Sequence, residues 1–277
     1  MRNRGTRFEF LRTRPHDHLG WAFAGRAEFS ALAMSFLAEG VARGELVIYV
    51  ADDPDPVVTS RLSHLAGPDA VQVASITEIY GDSGIVEPEE QRVTFEAICA
   101  NALADGFSGI RVAADASRMV LDPWRLAAWR RWEVVADRFI TEHPATALCA
   151  FDTERLGPDL LSKLATSHPL TSATSPVPGY RIYWDDGALR IDGEPGYPAI
   201  GDVRLALAEF PAGTPVVVDL AQARTVGDAV LRGLRALAGS DVPVTIRGSR
   251  ALIGQLRASG ATGPLTLEAD QPMSAPD

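Results

Sequence analysis

The residues best placed to do chemistry are aspartates that close apolar runs. Asp52 and Asp53 follow the run 46–51, Asp115 follows 109–114, and Asp152 ends 146–152. Open α/β sheets bind ligands at the carboxyl ends of their strands, so Asp52, Asp115 and Asp152 are candidate ligand or metal contacts. Aspartate is equally the residue of turns and helix caps at such junctions, and that simpler role carries more weight here. Asp115 also stands where a magnesium-holding acid would stand in a nucleotide site. That role requires a phosphate-binding loop after the first strand, with glycines for close backbone approach and a lysine for the β- and γ-phosphates. The corresponding turn, 24–29, reads Ala-Gly-Arg-Ala-Glu-Phe, with one glycine and neither lysine nor hydroxyl. Of 26 basic residues, 25 are arginine; the single lysine, Lys163, lies far downstream. Arg26 is no substitute, because its planar fork fits such a tight turn poorly. ATP hydrolysis is not expected, and the chain reads as a non-enzyme.

Other reactive side chains are scattered. His16-Asp17-His18 is the one local histidine pair, and no Cys, Glu or His lies near it at a zinc-site spacing. Neither a G-x-S-x-G elbow nor H-E-x-x-H is present. No metal and no cofactor are expected. Trp124, Trp129 and Trp132 share one helical stretch, with the last two three residues apart on one face. Core packing is their plain explanation; the sharper one is a small-molecule pocket walled by a helix tryptophan and Trp21. His18 and Trp21, on the first strand, join the aspartates as candidate ligand contacts.

The elements that must hold these residues alternate. Strand 19–23 is followed by a helix over 28–39 with apolar residues at Phe29, Leu32, Ala33, Phe36 and Leu37, ended by Gly40. A continuous apolar strand, 46–51, implies a parallel sheet covered on both faces. A helix over 56–65, a weak strand at 71–74, a helix from Pro88 to Ala104, strand 109–114, a helix over 123–142 and strand 146–151 complete a doubly wound pattern. The stretch 170–179, rich in Pro, Ser and Thr, reads as a linker. Beyond it, 181–184 and 188–191 flank Asp185-Asp186-Gly187 as a hairpin. A short helix carrying Ile200, Val203, Leu207 and Phe210 leads into strand 215–220, helix 228–238, strand 242–247, helix 250–258 and strand 264–267. The first fifteen residues form a basic, solvated arm with five arginines, and 269–277 a disordered tail.

Composition sets the outer limits. The chain of 277 residues is 46% hydrophobic and 22% charged, the balance of a globular protein with room for two domains. A net charge of -10 argues against nucleic acid as a partner. No apolar run approaches the ~20 residues that span a bilayer, and no secretory signal opens the chain. Two cysteines in apolar stretches, Cys99 and Cys149, are expected as reduced core residues of a cytoplasmic protein.

Three segments in series, His18-Leu19-Gly20-Trp21-Ala22-Phe23, Phe36-Leu37-Ala38-Glu39-Gly40 and Gly44-Glu45-Leu46-Val47-Ile48-Tyr49-Val50, resemble the opening of a MEDS (DcmR-type sensory) domain. Arg111-Val112-Ala113-Ala114-Asp115, Leu148-Cys149-Ala150-Phe151-Asp152 and His168-Pro169 continue the resemblance in order, over residues 16–169. It implies a RecA/KaiC-like parallel sheet domain without a P-loop, acting as a sensor of small organic ligands or other signals.

Residues 180–268 resemble a STAS domain, the small α/β fold of anti-sigma factor antagonists. In antagonists the strand corresponding to Val216-Val217-Val218-Asp219-Leu220 leads to an Asp-Ser pair that opens a helix, and a partner kinase phosphorylates the serine. Aligned without gaps, that pair falls on Gly227-Asp228, so an aspartate stands at the serine position. Its single charge is favoured at a helix N-terminus, where phosphoserine would carry roughly -1.5 to -2. The resemblance implies an anti-sigma factor or related histidine-kinase-like (GHKL-type) ATPase as partner, docked around Asp219, Thr225, Gly227 and Asp228, with no phosphorylation at Asp228 and Thr225 the nearest other hydroxyl. The combined expectation is a signal-transducing regulator of transcription. The rivals are a small-molecule enzyme using the strand-end aspartates and a ligand-free scaffold.

Overall fold

A computed structural model describes residues 2–7, 13–224, 226–236, 242–258 and 265–269. The chain divides into two compact units, Met1–Pro178 and Gly179–Asp277.

The first unit opens with β1 (Gly5–Arg7) and β2 (His18–Phe23). The helix α1 (Gly25–Ala42) buries Phe29, Leu32, Ala33, Phe36 and Leu37. It runs straight through Gly40, the expected stop. Gly40 is needed for a different reason: a Cβ there would lie 2.7 Å from Cδ of the buried Arg111. Next come β3 (Leu46–Val50), the helix α2 (Pro56–Ala66) and β4 (Val71–Ala74). Asp55 caps α2, accepting from the Val57 amide, and a proline fills the first turn. The short α3 (Ile76–Tyr80), absent from the sequence reading, is held by a capping box between Ser75 and Glu78. Then follow α4 (Pro88–Ala104), β5 (Ile110–Asp115), α5 (Pro123–Glu142), β6 (Ala145–Asp152), α6 (Pro158–Ala165) and β7 (Leu170–Ser172).

These seven strands form one parallel sheet in the order β1-β7-β2-β6-β5-β3-β4. Side chains alternate between its faces. Leu19, Trp21 and Phe23 face the core shared with α1 and α2, around Phe36, Leu37 and Leu62. Cys149 and Phe151 face the opposite core, with Trp129, Trp132 and Phe139. Burial on both sides is why β3 reads as an unbroken apolar run.

Two boundaries differ from the sequence reading. The residues expected as a linker begin with β7, a full member of the sheet between β1 and β2. Part of the basic arm is likewise structured: β1 pairs with β7, and Arg2 is 6% exposed because it finds a buried carboxylate partner, Asp137. Solvation is not its resting place.

The second unit is a mixed sheet in the order β12-β11-β10-β9-β8. Its members are β8 (Tyr180–Asp185), β9 (Ala188–Gly193), β10 (Val216–Asp219), β11 (Val244–Gly248) and β12 (Thr266–Ala269). The β8–β9 hairpin is antiparallel and turns through Asp186 and Gly187, both at positive φ as that turn requires; the remaining pairs are parallel. Helices α7 (Tyr197–Ala208), α8 (Asp228–Ala236) and α9 (Arg250–Ala258) connect them. Of the expected tail, Ala269 ends β12 and 270–277 lie outside the described residues. Among the described residues no helix is long and apolar enough to cross a membrane.

Candidate functional site

The candidate ligand residues fall into separate places. Asp52, Asp115 and Asp152 lie at the carboxyl ends of β3, β5 and β6, whereas His18 begins β2 at the other end of the sheet. With a rise of ~3.3 Å per residue, the length of β2 separates the two groups. Trp21, three residues after His18, points to the opposite face. Trp129 and Trp132 are buried in the core and Trp124 is 80% exposed.

Two of the strand-end aspartates, Asp115 and Asp152, are occupied by backbone amides of the chain. Asp115 Oδ1 accepts from the amide and hydroxyl of Ser117, 3.0 and 2.6 Å away. Burial nevertheless raises its pKa. Asp152 Oδ1 accepts from the Gly25 and Glu154 amides. Glu28 accepts from the Ala24 amide at 2.8 Å. The turn that would have to cradle phosphate is thus met by the chain's own carboxylates. Asp52 is exposed and pairs with Arg118 at 3.3 Å.

The opposite end of the sheet holds an arrangement the sequence reading missed. His18 of β2, Glu133 of α5, Cys149 of β6 and His168 after α6 converge with their N, O and S ligand atoms all within 4.8 Å of one another. Glu133 Oε2 lies 3.1 Å from His18 Nε2 and 3.2 Å from His168 Nε2. Cys149 Sγ lies 3.6 Å from His18 Nε2 and 3.9 Å from Glu133 Oε2. Both histidines and Glu133 are fully buried. Each ring is oriented from behind: His18 Nδ1 donates to Asp137 Oδ1 at 3.0 Å, and His168 Nδ1 to the Leu164 carbonyl at 2.8 Å. Those acceptors assign the proton to Nδ1, leaving Nε2 to face the cluster.

The electrostatics follow from that enclosure. Burial pulls both imidazoles down, but it is outweighed. The Asp137 hydrogen bond, with Cys149 and Glu133 behind it, raises His18 well above its ordinary value. The Glu133 charge raises His168 to about 9 against the repulsion of His18. Burial pushes Glu133 up, and the two histidines hold it well below the usual carboxylate range despite this. Even so, two groups are incompletely used. Glu133 Oε1 makes no hydrogen bond, and the contact at His168 Nε2 lies off the line of a hydrogen bond.

A cavity of about 30 Å³ adjoins the cluster between the sheet and helices α4 and α5. Its walls are mostly apolar, among them Phe95, Trp132 and Phe139, and His18 and Cys149 of the cluster contribute to its lining.

One signal in the sequence pointed here. Glu133 and Asp137 stand one turn apart on the face of α5 that also buries Trp129, Trp132 and Ile140. Acidic residues on an apolar helix face require buried partners. The partners themselves lie 119 and 16 residues away, in His18–Asp137 and Cys149–Glu133, so no local spacing reveals them. The expectation that both cysteines are buried and free holds, with Cys149 sharing the cluster and Cys99 in the core.

In the second unit, Asp219 is buried and accepts from the Ala221 amide at 2.9 Å, a turn-forming contact. Gly227 and Asp228 are exposed at the start of α8, and Thr225 lies outside the described residues.

Comparison with known proteins matches residues 17–169 to the MEDS family, the methanogen/methylotroph DcmR sensory domain. No curated protein matches. Among solved structures the chain is similar to the flagellar accessory protein FlaH from Methanocaldococcus jannaschii, at 11% identity and a TM-score of 0.36, covering 63% of this chain and 75% of that one.

Proposed function

The chain belongs to the MEDS sensory-domain family, and from that premise we propose that it is a non-catalytic signalling regulator whose first unit reads a small organic molecule in the cavity beside His18 and Cys149. One observation carries the reading: an apolar cavity ends on buried, strongly polar groups. Apolar walls with a few convergent polar groups are the usual form of a small-molecule site. At about 30 Å³ the cavity has room for roughly two water-sized spheres, which selects very small ligands. The engagement of Asp115 and Asp152 with backbone amides speaks against catalysis at the strand ends.

The output, in this reading, is carried by the second unit. The exposed Asp228 at the start of α8 offers a fixed negative charge to an anti-sigma factor or a GHKL-type kinase.

A melting-temperature screen of the full chain against short alcohols, ketones and alkanes tests the input. A ligand at a hundred times its Kd stabilises by about 2.7 kcal/mol, and Ala136→Leu, which fills the cavity, should abolish that shift. No shift with any compound would favour a ligand-free scaffold. Nucleotide turnover lost on Asp115→Ala would favour an enzyme. For the output, capture of a purified cognate anti-sigma kinase should be lost on Asp228→Arg.

A further inference from the structure

We propose that His18, Glu133, Cys149 and His168 form a four-coordinate site for a zinc-class divalent cation. The site stands whether or not the neighbouring cavity takes an organic ligand.

The donor set comes first. Two imidazoles, one carboxylate and one thiol are all ligands that zinc takes in tetrahedral sites. Bond lengths of roughly 2.0–2.1 Å to N or O and 2.3 Å to S place tetrahedral ligand atoms about 3.4 Å apart, or about 3.6 Å when one is sulfur. The two N–O separations here are 3.1 and 3.2 Å, the separation of Cys149 Sγ from His18 Nε2 is 3.6 Å, and all the ligand atoms lie within 4.8 Å of one another. The S–O separation of 3.9 Å needs only a small closure. Atoms that point at a shared centre do not point at each other, which accounts for the misaligned contact at His168 Nε2.

The supports behind the ligands have the form such sites require. A metal-binding histidine donates its other N–H to a carboxylate or a carbonyl, fixing ring and tautomer. Asp137 does this for His18 and the Leu164 carbonyl for His168. Arg2 in turn neutralises Asp137.

Charge balance is compatible with a metal. With the Arg2–Asp137 pair neutral, a divalent cation held by one carboxylate, one thiolate and two neutral imidazoles sums to zero. Without a metal there are two main arrangements. Protonating both rings sets two cations side by side in a fully buried site, with ring centroids 4.5 Å apart, and leaves a net positive charge as long as Cys149 is a thiol. Protonating one leaves an Nε2 lone pair close against the Glu133 carboxylate. Both arrangements carry a desolvation or repulsion cost that the metal removes. Binding would release the Cys149 thiol proton and any imidazolium proton to solvent.

The test uses the full chain expressed in medium supplemented with zinc or cobalt(II), purified without chelator and assayed for metal by mass spectrometry. The expected result is about one metal per folded chain. The cobalt form should show intense tetrahedral d–d absorption and a thiolate-to-cobalt charge-transfer band, which Cys149→Ser removes while far-ultraviolet circular dichroism is unchanged. His168→Gln is a second variant, expected to lose most of the metal. Folded wild-type protein carrying less than a tenth of an equivalent from either medium overturns the site. So does a full equivalent retained by both variants, since the metal would then be held elsewhere. A failed ligand screen with metal bound would sink the organic-sensor reading alone.

Discussion

Arg2 and Asp137, 135 residues apart in sequence, meet in a two-pronged ion pair with both N–O distances at 2.8 Å. The pair ties the start of the chain to the buried face of α5, and Asp137 passes that order on to His18. Removing one member of a buried pair strands the other, at a cost of about 3–5 kcal/mol. Arg2→Met should therefore lower unfolding free energy by that amount in urea titrations. A loss below about 1 kcal/mol, the worth of an exposed pair, would show that the arm is not anchored.

Gly20 is the contact that gives His168 its room. A Cβ on Gly20 would lie 2.6 Å from His168 Cγ and 2.7 Å from its Nδ1. The ring is fully buried and tied to Leu164, so it has nowhere to swing. Gly20→Ala should cost about 1–3 kcal/mol, as overpacking does. It should also shift the imidazole nitrogen resonances of His168 and leave those of exposed His64 in place. Unmoved His168 resonances would contradict the geometry.

The three tryptophans of α5 differ by position, not by type. Trp129 and Trp132 are 0% and 4% exposed, and Trp124 is 80% exposed. Trp129→Ala and Trp132→Ala should each cost about 3–5 kcal/mol. Trp124→Ala should stay within about 0.5 kcal/mol. Equal losses in denaturant melts for all three would refute this division of the helix.

Glu78 responds to acid in a defined direction. Hydrogen bonds from the amide and hydroxyl of Ser75 hold its pKa below the ordinary glutamate value. A depressed acid contributes stability above its unfolded pKa and loses it as pH falls through the folded value. A carboxyl-carbon NMR titration should find Glu78 below the usual glutamate value, with the α3 amides losing exchange protection over the same interval. Titration at or above the ordinary value would mean that the capping box does not form.

Much of this architecture was legible because it is written locally. The run of β3 is apolar on both faces, and prolines open α4 and α5 where the sequence placed them. The short edge strands were not legible. Gly5–Arg7 is polar, and Leu170–Ser172 sits in a Pro-, Ser- and Thr-rich stretch; pairing with neighbours, not composition, makes both into strands. Gly40 misled for a related reason, since its meaning lies in Arg111, on another element. The cluster was hidden most thoroughly. A parallel sheet orders its strands by crossover, so β2 and β6 become neighbours through topology alone and bring His18 alongside Cys149. Residues that meet this way leave no spacing to read.

The position of His168 along the chain has a mechanical consequence. Its backbone enters β7 two residues later, and β7 is clamped by β1 on one side and β2 on the other. The second unit begins at Gly179. Ala173, Thr174 and Ser175 are still bonded to Arg7, Ala22 and Ser172, so only residues 176–178 lie between the last of these anchors and that junction. The stretch of chain that carries His168 into the sheet is thus the same one that leads, within eleven residues, to the start of the second unit.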